Sequence, residues 1–483
     1  MNKQSLYDYI DAHAGIFTGV SDQIWEFAEP PLQEFQSAAL YCKVLREHGF
    51  TVETNLAGIH TAFSGTYGSG KPVIGILGEF DALSGLSQVG GVAVKRSAGG
   101  EHGHGCNHNL LGAGSLAAAF AVKDWLEKSG QSGTVIFFGC PGEEGGAGKT
   151  FMARAGIWSR LDAAVTWHPN NVNCVVTQSC LACLHKEYRF EGISAHAASH
   201  APQGRSALDA LELMNIGVQF LREHMSPAAR VHYAITDPGG RSPNVVQSAA
   251  SAVYIVRDAD VGDAFKLLER VDKIAEGAAL MTETKLHARY INGIANTVLN
   301  RTMMHLAYDN LCAAPLPDYT AEEEEFARQI IASYSIPRET VSKEHGDKLS
   351  PEDLDRVEEL SENSTAVINR FVLPFSFVNT LHMASTDVGD VSWQTPTVQC
   401  YINCQAAGSP GHSWQNVATA NTSLGHKGLL FAAKVVAGIT VDLLTQPETL
   451  ARARDEFARH TAQGYICPIT ADADPYSAFD ALP

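Results

Sequence analysis

Three short apolar runs, at residues 73–77, 134–138 and 163–167, constrain the fold of this chain more than any other feature. Each is too short for a buried helix, and each is continuous rather than alternating. That is how a strand covered on both faces reads. An alanine-rich stretch at 110–128 predicts a helix between the first two runs. Strands alternating with helices predict an α/β fold with a doubly wound catalytic domain and a mixed, mostly parallel sheet. Ligands in such sheets bind beyond the carboxyl ends of the strands.

From about residue 182 the rhythm changes. The pattern predicts a strand at 184–190, a helix at 206–224, strands at 231–236 and 249–256, a helix at 263–279 and a strand at 285–290. This βαββαβ order predicts an inserted ferredoxin-like α+β unit. The expected organisation is therefore a catalytic domain in two parts, 1–181 and 293–483, interrupted by a lid or dimerisation domain at 182–292. Outside these segments, Leu6, Ile10, Ile16, Ile24, Trp25 and Phe27 show helical spacing up to Pro30 and Pro31, and a second helix is expected at 37–48. A strand is expected at 60–64 and another at 397–401. An acidic helix at 321–334, a charged, solvated stretch at 343–362 and a long helix at 423–444 complete the reading.

A chain of 483 residues is long enough for two domains. Its net charge of −18 repels phosphate backbones and anionic lipid, so neither nucleic acid nor membrane is an expected partner. No apolar run approaches the ~18 residues that a spanning helix needs. The first residues lack the apolar core of a secretory signal. Ten cysteines are too sparse for a disulfide scaffold, and reduced thiols in the cytoplasm are expected.

Four segments concentrate metal-ligand chemistry. His102-Gly103-His104-Gly105-Cys106-Asn107-His108-Asn109 offers imidazoles and a thiol on a glycine-rich loop; the plainer alternative is a polar loop with incidental histidines. Cys140-Pro141-Gly142-Glu143-Glu144 follows an apolar strand. Adjacent carboxylates there can divide their labour, one binding metal and one serving as general base, or they can simply favour a helix N-terminus. Trp167-His168-Pro169 and Gly408-Ser409-Pro410-Gly411-His412 are weaker taken singly. All four can converge on one rim of the sheet, which favours a shared metal role.

Other motifs fail on chemistry. Gly148-Lys149-Thr150 resembles the end of a phosphate-binding loop, yet Glu143 stands where that loop needs glycine and Glu144 adds a second carboxylate. Cys180 and Cys183 point to opposite faces of a strand and make poor joint ligands. Neither a zinc-deaminase cysteine pair nor a serine-hydrolase elbow is present in the sequence.

The segments around Cys106, Glu143, His168 and His412 resemble the amidohydrolase branch of the aminoacylase/carboxypeptidase dimetal peptidase family. So do Glu79-Phe80-Asp81-Ala82-Leu83, Ser194-Ala195-His196-Ala197-Ala198 and Pro243-Asn244-Val245-Val246, over essentially the whole chain. The resemblance implies an enzyme that hydrolyses a small N-acyl amino acid with two divalent metal ions. It places the metal ligands at Cys106, His108, Glu144, His168 and His412, and the general base at Glu143. It gives His196 the scissile carbonyl, Asn244 and Arg257 the substrate carboxylate, and Asp81 and Asp390 the orienting of ligand imidazoles. It further implies a homodimer through the inserted domain and leaves room for a different partner chain. The resemblance points to Mn2+, whereas a thiolate ligand favours Zn2+. Two departures stand out: the usual C-G-H-D reads Cys106-Asn107-His108-Asn109, and D-M-D reads Glu79-Phe80-Asp81. Rival readings are the same chemistry on a dipeptide, auxin-type or benzoyl conjugate, and a non-catalytic member of a two-component hydrolase.

Overall fold

The three apolar runs become neighbouring strands in the middle of a seven-stranded sheet. The computed structural model describes residues 3–338, 340–377 and 380–476. In chain order its main strands are β1 (Thr51–Thr54), β2 (Phe63–Ser69), β3 (Val73–Glu79), β4 (Gly133–Cys140), β5 (Ala163–Asn170) and β6 (Cys174–Val175). They continue with β7 (Ala182–Glu191), β8 (Arg230–Asp237), β9 (Ala249–Asp258), β10 (Lys285–Ile294) and β11 (Thr397–Asn403).

The chain divides into two compact units. The first comprises Met1–Gln178, Val298–Thr380 and Val391–Gly464. Its sheet runs β1-β2-β4-β3-β5-β11-β6. The central pairs β4–β3, β3–β5 and β5–β11 are parallel, and the outer pairs are antiparallel. Every residue of β4 is buried, as a strand covered on both faces requires.

Helix α1 (His108–Ser129) and helix α2 (Ser423–Thr445) pack on each other. Both are buried along most of their length, and each large apolar side chain so buried contributes roughly 1.5–3 kcal/mol. Glycine at position 112 lets α1 approach the end of β3. A Cβ there would lie 2.6 Å from the Glu79 carbonyl oxygen and 2.2 Å from the Tyr41 hydroxyl. The end of β3 and the start of α1 are thereby held side by side. By length and hydropathy α2 could cross a bilayer, contrary to the expectation of no such run, but it is a core helix with 83% of its apolar window buried.

The second unit comprises Ser179–Thr297, Leu381–Asp390 and Tyr465–Pro483, of which residues 477–483 lie outside the described residues. Its antiparallel sheet runs β8-β9-β7-β10, the strand order of a ferredoxin-like unit. Ala250, Ala252, Tyr254 and Val256 alternate inward along β9, against helices α3 (Ala207–Leu221) and α4 (Val261–Thr282). Ser206 and Asp260 cap these helices through the amides of Asp209 and Asp263.

The expected cuts at 181/182 and 292/293 compare with observed ones at 178/179 and 297/298. Two later segments also join the second unit, because Leu381–His382 pairs with Ser179–Cys180 and Tyr465 bonds Asp390. The described residues of 343–362 are largely exposed, as expected of a charged, solvated stretch, and they overlap helices Val341–His345 and Pro351–Leu360. Val341 and Val357 are buried there with Val172, Phe371 and Leu373. The strand expected at 60–64 runs Phe63–Ser69, set by its pairing with β4 and not by its own glycine-rich sequence.

Candidate metal centre

The four sequence segments meet within the first unit. Cys106 precedes α1, His108 opens it, Glu143 and Glu144 follow β4, His168 lies near the end of β5, and His412 lies in the loop after β11. Ligand atoms of Cys106, His108 and His168 lie within 4.8 Å of one another, as do those of Cys106, Glu144 and His412. Cys106 belongs to both groups.

Hydrogen bonds decide which nitrogen each histidine presents. His108 Nδ1 is 2.8 Å from Asp81 Oδ1, and His168 Nδ1 is 2.8 Å from its neighbour's carbonyl, Pro169 O. Both partners only accept, so both Nδ1 atoms carry hydrogen and both Nε2 atoms are the ones turned to the site. His168 Nε2 is 3.4 Å from Cys106 Sγ, and His412 Nε2 is 3.2 Å from Glu144 Oε1. Bond lengths of about 2.0–2.3 Å to a shared ion put neighbouring ligand atoms roughly 3.0–3.5 Å apart. The buried His108 Nε2 has no hydrogen-bond partner among the described residues, an orphan that a metal ion would satisfy. The donor set therefore fits divalent metal.

Burial pushes the Cys106 thiol up and the His168 imidazole down, the latter helped by the charge of His108. Burial would also raise the Glu144 carboxyl, but the hydrogen bond from His412 and the charges of His108 and His412 bring it down to about 2. The same hydrogen bond raises His412.

Asp81 is the common anchor. Its Oδ1 holds His108, while its Oδ2 accepts the Glu144 amide at 2.9 Å. One carboxylate thus fixes a ligand on α1 and a ligand after β4. The loop before Glu143 is held by Glu34, a fully buried residue that the sequence reading missed. Its Oε1 accepts from Leu32 N at 2.8 Å and Gly142 N at 2.9 Å, and its Oε2 from Thr61 Oγ1 at 2.8 Å. No sequence motif marks Glu34, because its partners other than Leu32 lie 27 and 108 residues away. Glu143 is half-buried, with a carboxylate oxygen within 4.8 Å of ligand atoms of His108 and Glu79.

The two departures in the first loop have structural reasons. Asn107 takes the left-handed conformation with φ 60°, which asparagine tolerates better than most residues. Its side chain donates to His104 O and Asn416 O and accepts from Gln405. Asn109 donates to Ser21 Oγ at 3.0 Å. His412 is also left-handed, with φ 49°, a strained backbone of the kind found where a side chain must be aimed.

The remaining expected site residues belong to the second unit. His196 is bridged to Val245, and Ala197 N donates to Asn244 O at 3.0 Å, so the His196 and Asn244 loops are joined. His196 Nδ1 accepts from Ala198 N and Ser199 N, each at 3.2 Å. Its hydrogen is consequently on Nε2. Arg257, on β9, donates to Ser385 Oγ at 2.9 Å. Asp390 accepts from Ala295 N at 3.0 Å and Tyr465 OH at 2.6 Å. The bond to a ligand imidazole expected of both aspartates is made by Asp81.

Comparison with known proteins extends these findings. No family model matches the chain. It is 45% identical over 478 residues to one of the subunits of the p-aminobenzoyl-glutamate hydrolase of Escherichia coli, covering 98% of this chain and 99% of that one. It is 28% identical to a mouse Xaa-Arg dipeptidase over 74% of this chain and 70% of that one. Among solved structures it is similar to a Bacillus subtilis dinuclear metal binding peptidase of the M20 family, with TM-score 0.56, 16% identity, and 90% and 99% of the two chains covered.

Proposed function

Because the chain belongs to the p-aminobenzoyl-glutamate hydrolase family, in the amidohydrolase branch of the dimetal peptidases, we propose that its substrate is p-aminobenzoyl-glutamate, cleaved to p-aminobenzoate and glutamate. The observation that carries a two-ion reading is Cys106, whose thiol is common to two three-ligand groups beside Glu143. In it, Cys106, His108, Glu144, His168 and His412 hold two divalent ions, Mn2+ or Zn2+.

Bound divalent ions supply Lewis-acid polarisation of the amide carbonyl and of water. The half-buried Glu143 takes the proton of the attacking water and returns it to the departing amine nitrogen. His196, whose Nε2 carries hydrogen, donates to the carbonyl oxygen as negative charge develops there. Arg257 and the Asn244 amide grip the substrate carboxylate, for which a guanidinium offers paired donors. Asp81 keeps His108 in the tautomer that presents Nε2.

A homodimer through the second unit is supported by its surface. Leu213, Ile216 and Phe220 are exposed along one face of α3, and Tyr233 and Ile235 on the edge strand β8. Exposed apolar residues beside a sheet edge are suited to a second copy of the same chain. The bacterial relative is named as one subunit of its hydrolase, which also favours a different partner chain. A ligand thiolate survives best under reducing conditions, which supports a cytoplasmic setting.

The test is to purify the chain alone, load it with Mn2+ or Zn2+, and assay p-aminobenzoyl-glutamate beside dipeptides and other N-acyl amino acids. Release of p-aminobenzoate in preference to the other products is expected. Preferential cleavage of Xaa-Arg dipeptides would favour the activity named for the mammalian relative. No cleavage of any amide by metal-loaded chain would point to a protein that does not catalyse alone.

A further inference from the structure

Lys149 takes no part in the chemistry described so far. It is fully buried in the short helix after the Glu143–Glu144 loop, Gly148–Arg154. Its Nζ lies 2.7 Å from Glu79 Oε1, and Glu79 is itself only 1% exposed. Burying either charge alone is very costly, so the two are held together. The pair is not a sealed unit, however. Glu79 Oε2 lies 3.3 Å from His108 Nε2 and has no hydrogen-bond partner among the described residues.

Since His108 Nδ1 donates to Asp81, Nε2 is the nitrogen that faces that carboxylate oxygen. A proton or a metal cation can join these two atoms, and a bound metal takes the proton's place. The spacing matches the roughly 3.0–3.5 Å between neighbouring ligands of one ion, as it does for the pairs Cys106–His168 and Glu144–His412. Ligand atoms of Glu79, His108 and Glu143 also lie within 4.8 Å of one another.

We propose that Glu79 is a further metal ligand, its carboxylate aimed by Lys149 so that Oε2 shares with His108 the ion on that side of the centre. This rests on the two-ion reading above. Lys149 is then a positioning residue, bonded to the oxygen that does not face the ion. Glu79 adds a hard oxygen beside imidazole and thiolate, which shifts preference from Zn2+ towards Mn2+.

The experiment is titration of metal-stripped full chain with Mn2+ alone and with Zn2+ alone, followed by calorimetry, for the wild type, Glu79→Gln and the double variant Glu79→Gln/Lys149→Met. The double variant removes both buried charges and remains informative if the single one does not fold, with circular dichroism reporting folding. Wild type is expected to bind two Mn2+. Each folded variant is expected to lose at least tenfold in Mn2+ affinity at one site, with a smaller change for Zn2+. A folded variant binding two Mn2+ with wild-type affinity would overturn the proposal and leave the two-ion reading standing. A wild-type chain that binds neither metal would remove both.

Discussion

At the scale of single residues, the site works by giving each polar atom one task. Asp81 occupies one imidazole nitrogen and one backbone amide, and so fixes His108 and Glu144 together. The division of labour between the adjacent glutamates follows from position. Glu144 is tied to His412, while Glu143 is left facing the ligand atoms. Glu143→Gln should therefore lower kcat by about 10²–10⁴ with metal content unchanged; metal analysis alongside steady-state kinetics checks both halves. The sharing of Cys106 gives a sharper expectation. Cys106→Ala should lose both ions and His168→Ala only one, as counted by atomic emission on the purified variants. Most of these residues were legible in the sequence because strand ends followed by metal-ligand residue types have few other uses. Glu34 was not, and Glu79 and Lys149 stood out only as members of other motifs. Their roles come from partners distant in the chain, and a buried glutamate or lysine looks, in sequence, like any surface one.

At the scale of elements, the strand ends are aimed by bonds that reach across the sheet. Glu34 holds the loop after β4 through Gly142 while also serving Leu32 and Thr61. Glu34→Ala leaves buried donors unpaired and should cost about 2 kcal/mol or more, read from denaturant unfolding, and should slow turnover by loosening Glu143. In the second unit, β7 carries His185, which burial and the charge of Arg257 push down to about 4. The unfolded chain protonates this side chain near pH 6.5, so between about 6.5 and 4 it takes up protons that the folded state does not. Stability from the neutral His185 is complete above that window and is lost as pH falls through it. His185→Gln should flatten the acid side of the Tm–pH curve there; an unchanged slope would contradict the assignment. Elements with their own apolar pattern were readable, as α1, α2 and β3–β5 show. β1 is a four-residue strand with no buried position, and β2 is set by its partner, so neither carries its own signal.

At the scale of the whole chain, the sequence rhythm disclosed an insertion, because the change from continuous to alternating apolar strands reflects a change from a sheet covered twice to one covered once. It did not disclose that Leu381–Asp390 and the described residues 465–476 belong with the second unit, since those segments are short and are placed by pairing. If the apolar residues of α3 and β8 join two copies, Phe220→Asp should convert a dimer to monomers in sedimentation velocity at the same loading. A wild-type chain that sediments as a monomer would remove that interface. The central claim is that one thiol and five neighbouring ligand and base residues surround a pair of ions. It is tested most directly by anomalous diffraction from crystals of the Mn2+-loaded chain. Two peaks are predicted, one bordered by Cys106, His108 and His168, the other by Cys106, Glu144 and His412. Peaks elsewhere, or none at Cys106, would contradict the account.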